Sequence, residues 1–423
     1  MINSLTKIRF FFLQAIFLFA PLIYAWFYIP GVGHTLADLV NSIFPQLHWS
    51  GFESIKVHYV ILMTACILVL SIPRFFFWKK SVSSSFLMSI LVVAIWSITS
   101  YTLNHATNPY FFTGNFEKTH GWVFYISLFA LFWILHGLSR KEKKSLFLMS
   151  FLGFIWVVFY AFLQKFGFDP LRQLYSTRLD PWRIFSTLGN PNYLAGYALI
   201  ILPLLRVRHF PHELRWEEHL WEIVIWTLSG ILIYWSGSYL AWIFFAIYVG
   251  YVLIEHILPK KSHKIIFWTS FLILFFIVFL WVWQNYWSDI LEAQKMKWFI
   301  ARWYLWNTGI AALTHDIWHF LFWYGPDGFL PISEQFRHPL LSVYEDPAYR
   351  IDRSHNVFLD FAINFWVPMT LALLWLIGKN LKNLSHEKQV ALLLFALYFS
   401  FNIPVLVHFL LILQIFTSVQ KDS

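Results

Sequence analysis

Apolar runs of membrane-spanning length recur from one end of this 423-residue chain to the other, with only short polar segments between most of them. That pattern leaves few folds open. In lipid only a helix or a closed barrel satisfies its own backbone hydrogen bonds, and about 20 apolar residues cross the hydrocarbon as a helix. Charged residues make up 13% of the chain, against about 25% in an ordinary soluble domain. A soluble protein with many buried helices would need far more polar surface. The chain therefore reads as an all-α integral membrane protein of about twelve transmembrane helices. They are expected near 10–29, 57–73, 84–101, 121–138, 145–163, 191–205, 221–236, 238–255, 265–285, 356–377, 389–401 and 404–418. Asn402 and Pro404 favour a turn between the last two. The first run is too long for a signal-peptide core and lacks a small-residue cleavage site, so it is expected to be retained. Cys66 is the sole cysteine and lies in an apolar run, which excludes an intrachain disulfide and a thiolate metal site. The 24 Trp and 20 Tyr suit interfacial belts.

Loop charge sets the expected orientation. With the N-terminus in the cytoplasm, the clusters Arg74/Lys79/Lys80, Arg140/Lys141/Lys143/Lys144, Lys260/Lys261/Lys264 and Lys379/Lys382/Lys388 all fall on the inner side, as the positive-inside rule requires. Both termini are then cytoplasmic. The pI of about 9.4 follows from topology rather than from binding nucleic acid. The whole chain, 1–423, reads as one polytopic domain without repeats. Two outer loops, 164–190 and 286–355, are too long to be simple connections.

Almost no ionisable side chain lies deep in these helices; Asp360 and His408 are the exceptions. Ion-coupled transporters place charge near the midplane, so a transporter or flippase of a lipid-linked anion is the weaker reading. Charge gathers instead in the outer loops. The first carries Arg172, Arg178 and Arg183, then Ser186 to Ala195. Asn190 before Pro191 is a good N-cap with proline at the first helical position. The free N–H groups of that helix, with Arg183 upstream and Asn192 in its first turn, suit a phosphate or diphosphate. An ordinary capped helix with arginines reaching lipid headgroups explains the same residues. The second loop opens with a helix over 296–313 that has Arg302 and Trp306 on one face. The Gly325–Phe329 turn follows, and the loop ends at Arg353-Ser354-His355-Asn356. Asn356, Asp360 and Asn364 then form a stripe at helical spacing. With Asp352 or Ser354 as cap, His355 falls in the first helical turn, where the dipole disfavours imidazolium. Neutral imidazole can act as a general base. A histidine that merely hydrogen-bonds in a loop stays open as the alternative.

At these residues the chain resembles the bacterial O-antigen ligase family, which includes O-antigen polymerases and bacterial protein O-oligosaccharyltransferases. Three elements match in order: Arg183 to Ala195 with its GNPNYLA core, Arg302 and Trp306 with the Gly325-Pro326-Asp327-Gly328-Phe329 turn, and Ser354-His355-Asn356-Val357-Phe358-Leu359. The resemblance implies a GT-C-like glycosyltransferase of the bacterial inner membrane. Its donor would be a glycan on undecaprenyl diphosphate, and its acceptor lipid A-core, a growing polysaccharide or a protein. Transfer would invert the anomeric centre without metal or other cofactor. By position, His355 and Arg302 would be catalytic, with Arg183, Arg178, Asn190, Asn192 and Arg353 on the donor diphosphate and Asn356, Asp360 and Trp306 in support. No Asp-x-Asp, Glu-x-Asp or Asp-x-Glu tripeptide occurs. Two departures stand out. Family members often carry an arginine after a serine in a middle helix, whereas Ser236-Gly237-Ser238 is followed by Tyr239. The Glu and Gly usual after His-Asn are replaced by Asn364, Trp366 and Met369.

Overall fold

A computed structural model describes residues 2–23, 52–77, 108–115, 119–169, 183–205, 215–257, 294–317, 324–345, 350–365 and 367–417, with single positions near 95–103 and at 320. Among the described residues there are helices and turns and no strand. The long helices are α1 (Ile2–Phe19), α2 (Phe52–Phe77), α3 (Trp122–His136), α4 (Arg140–Lys165), α5 (Pro191–Leu205), α6 (Arg215–Ser236), α7 (Tyr239–Ile257) and α8 (Gln294–Thr314). Two single turns follow, α9 (Phe329–Ile332) and α10 (Leu341–Tyr344), and then α11 (Val357–Phe365), α12 (Val367–Leu381), α13 (His386–Phe399) and α14 (Leu406–Thr417). Two of these, over Glu53–Ser71 and Arg140–Lys165, are long and apolar enough to cross a membrane.

Helix α5 is the axis of the fold. It is apolar on every side, and Leu194 through Leu204 are all buried. A helix without a polar face needs neighbours all round, and α4, α6, α7, α13 and α14 supply them in one continuous apolar cluster. Gly196 lets α13 approach closely: a Cβ there would lie 2.8 Å from the rings of Tyr398 and Phe399. A second cluster joins α1, α2, α3 and α14. A third joins α8 to the short helices and α11. There Gly309 sits against Leu359 and Ile363, where a Cβ would meet Leu359 at 2.8 Å.

Several boundaries differ from those the apolar runs suggest. The first helix spans Ile2–Phe19 rather than 10–29, and Ala20 to Leu22 form a turn. Pro21 lacks the amide a helix interior requires, and its carbonyl takes the Thr187 hydroxyl at 2.7 Å. Helix α2 begins at Phe52, not 57, so Glu53 and Lys56 are helical; an acid in the first turn matches the helix dipole. Helix α4 begins at Arg140 because Ser139 and Glu142 form a capping box. The expected helix over 356–377 is described as α11 and α12, either side of Trp366. The turn expected at Asn402 and Pro404 is present between α13 and α14. The helices expected over 84–101, single positions apart, and over 265–285 lie outside the described residues.

Candidate active site

The first motif is threaded into the protein rather than laid on it. Gln164, near the end of α4, accepts from the Phe185 and Ser186 amides at 3.0 and 2.8 Å. Ser186 donates to the Val157 carbonyl at 2.6 Å, and buried Lys56 donates to the Thr187 carbonyl at 2.8 Å. Asn190 caps α5 as its sequence implies: its side chain accepts from the Asn192 amide at 2.8 Å, and its carbonyl from Leu194. Arg183 is thereby aimed at the start of α5. Its Nη2 donates to Asn192 Oδ1 at 3.0 Å and its Nε to the Ser236 carbonyl at 2.7 Å. The guanidinium lies over Gly237, whose φ of +63° and closeness to Arg183 leave little room for a side chain. Arg178 and Arg172 lie outside the described residues.

Tyr398, at the end of α13, donates to the Asn192 carbonyl at 2.8 Å and lies 3.2 Å from the Ser238 hydroxyl. His408 backs the same turn. Its Nδ1 accepts from the Val405 amide at 3.0 Å, so the proton sits on Nε2, which meets the Tyr193 carbonyl at 3.1 Å.

The second and third motifs meet directly. Asp327, at a φ of +54°, accepts from Arg353 with one carboxylate oxygen and from the Asn115 amide (2.7 Å) with the other. Asn108 donates to the Tyr324 and Pro326 carbonyls at 3.2 and 2.8 Å, bolting the turn to the segment before α3. Arg353 was expected on a donor diphosphate; the structure gives its buried guanidinium to Asp327 instead. Burial works against that charge, but Asp327, with Tyr125, Asp360 and Asp352 nearby, holds the Arg353 pKa above its ordinary value.

His355 does not begin a helix. Asn356 caps α11, accepting from the Phe358 and Leu359 amides at 3.0 and 3.2 Å. His355 therefore stands one residue before the cap, outside the first turn, in the left-handed region at φ +59°. Such a backbone persists only where its surroundings over-determine it, and it concentrates at functional sites. Here the two residues before His355 are pinned. Arg353 is held by Asp327, and Ser354 donates from its amide and hydroxyl to Asp360 Oδ1, both at 2.7 Å.

Arg302 is buried on α8, one face of which turns toward the end of α13. Phe299 and Trp306, on either side of Arg302 at helical spacing, both pack against Phe401, with ring centres 5.7 and 5.2 Å away. Thus Arg183 reaches the end of α13 through Asn192 and Tyr398, and the aromatic neighbours of Arg302 on α8 pack against Phe401 just beyond that end. Further along α8, Gly309 contacts Leu359, one turn after His355.

Sequence reasoning missed Glu53, Lys56, Asn108, Asn115 and His120, all buried at this end of the molecule. Polar residues at the mouth of an apolar run were their only signal. Glu53 accepts from the Leu406 amide, and His120 Nε2 lies 3.6 Å from its carboxylate. Burial pushes the His120 imidazole below its ordinary pKa, against the pull of Glu53. Comparison with family models, curated proteins and solved structures yields no match for this chain, so the site stands on its own geometry.

Proposed function

We propose that this chain is a multi-pass glycosyltransferase of the bacterial inner membrane, of the O-antigen ligase kind. It moves a glycan from undecaprenyl diphosphate to an acceptor on the outer side. In this reading the acceptor hydroxyl attacks the anomeric carbon and gives its proton to His355, while the bond to the diphosphate breaks with inversion. Arg183 and Arg302 stabilise the leaving diphosphate, a task suited to guanidinium groups because they stay charged and engage phosphate oxygens in pairs. Arg353 frames the site through Asp327 rather than holding the donor.

The observation that carries this reading is the Asp327–Arg353 contact, which ties the second motif element to the residue immediately before the third, across 26 residues. Arg183 adds to it by reaching Ser236, at the turn where family members often carry an arginine. The membrane placement has its own support. Leu148, Leu152, Trp156 and Phe159 are exposed on α4 at helical spacing, an apolar stripe suited to lipid. The segments assigned to the outer side also contact one another: residues 108–120, 183–193, 324–328 and 350–356, together with the starts of α2 and α14. A lipid A-core acceptor is favoured because the His-Asn pair directly follows the longest outer loop; polymer and protein acceptors use the same site logic.

The test is covalent transfer in proteoliposomes given lipid-diphosphate-linked glycan and an added acceptor. The reading predicts an acceptor–glycan product and free undecaprenyl diphosphate, with activity kept in EDTA. Donor that crosses the bilayer chemically unchanged would identify a flippase instead.

A further inference from the structure

His120 has no part in the chemistry proposed above, yet it lies beside it. With Tyr125, Arg353, Asp360 and Asn364 it lines a small cavity of about 20 Å³, walled on the other side by apolar groups such as Phe361 and Phe409. A water needs about 10–15 Å³ of such space and two to four polar partners. His120 is 2% exposed, Arg353 3%, Asn364 3% and Asp360 7%. Among the described residues, each leaves one buried polar atom without a hydrogen-bond partner: His120 Nε2, Arg353 Nε, Asn364 Oδ1 and Asp360 Oδ2. The Glu53 carboxylate, at 3.6 Å from Nε2, is beyond hydrogen-bond length.

The four atoms match one ligand. Arg353 Nε is a donor, His120 Nε2 is a donor in one neutral tautomer, and the other two are acceptors. A water molecule offers two lone pairs and two hydrogens. A cation would face the Arg353 guanidinium, and an anion would face the Asp360 carboxylate and the Asn364 oxygen.

We propose that this cavity is a built single-water site. The water accepts from Arg353 and His120, donates to Asp360 and Asn364, and so fixes the segment that carries His355. The positioning half rests on the reading of His355 as the base; the water site does not. Asp360 holds Ser354 with its other oxygen, and Arg353 is the residue before Ser354. One water therefore ties both residues ahead of His355 to α11 and to the segment preceding α3. His120 and Asn364 become positioning residues.

A double-mutant cycle tests the site. His120→Phe keeps the ring stacked on Phe124, whose centre lies 4.4 Å away, and Asn364→Leu is close in volume. If one water serves both residues, either change expels it, and the Tm loss of the double variant is smaller than the two single losses together. Additive losses overturn the site. Should a variant fail to fold, a high-resolution map of the wild-type protein decides. Density within about 3.2 Å of all four atoms supports the site, and ordered side chains around an empty cavity overturn it. In the transfer assay each variant should lower kcat by roughly ten- to a hundredfold with KM for the donor unchanged. Unchanged kcat with the water present overturns the positioning role alone.

Discussion

Asp327 is the residue through which two separate loop segments reach a third. Its carboxylate receives the Asn115 amide and the Arg353 guanidinium while almost wholly buried. Removing one member of a buried pair leaves the other charge without compensation, at a cost of about 3–5 kcal/mol. Asp327→Ala should therefore destabilise the protein by that order in denaturant or thermal unfolding, well beyond the loss from Glu334→Ala. Glu334 pairs with Arg337 at the surface, where such pairs contribute about 0–1 kcal/mol. His120 gives a pH signature. Its pKa is depressed by burial beside Glu53, Arg353 and Asp327, so below about pH 6.5 the unfolded chain binds a proton that the folded chain does not. Stability is full above that value and falls as pH drops toward the folded pKa. Between pH 7.5 and 5.5, Tm should fall more for the wild type than for His120→Phe. Asn190 was legible as a cap because its partners are its own neighbours in the chain. The Asp327 partners lie 26 and 212 residues away, and no local pattern announces them.

At the level of elements, helices were legible wherever one apolar run met its own end signals. Helix α5 begins at Pro191, as Asn190-Pro191 implies, and continues to Leu205, where the described residues stop. The boundaries missed were those set by something other than hydropathy: Pro21 just after α1, the Ser139–Glu142 box at the start of α4, and Asn356 rather than Asp352 or Ser354 before α11. That last difference moves His355 out of the helix, where its orientation depends on Arg353, Ser354 and Asn356 instead of a helix dipole. The α8–α11 contact is the element-level test. Gly309 has no room for a Cβ beside Leu359 and Ile363, so Gly309→Val should cost about 1–3 kcal/mol by overpacking. Because Arg302 lies on α8 and His355 immediately precedes the Asn356 cap of α11, kcat should fall as well. Unfolding and turnover measured on one preparation check both.

Over the whole molecule, transfer on the outer side requires a fixed sidedness of the loops. The outer-assigned segments contact one another at one end, whereas Tyr251 and His386 meet near the inner-assigned ends of α7 and α13. Cys66 is the only cysteine, so a Cys66→Ala background permits clean labelling. Val343→Cys, at an exposed position of the long loop, should react with an impermeant thiol reagent from outside intact cells. Lys141→Cys, in the first turn of α4, should react only after permeabilisation. The opposite pattern would invert the topology. The most direct test remains glycan transfer itself, measured in proteoliposomes for wild type, His355→Ala and Arg302→Ala at equal folded protein. A positioned base contributes about 10²–10⁴-fold, so His355→Ala should lose activity on that scale, and Arg302→Ala should lose most of its turnover with the leaving group's counter-charge. Full transfer by both variants would contradict the account.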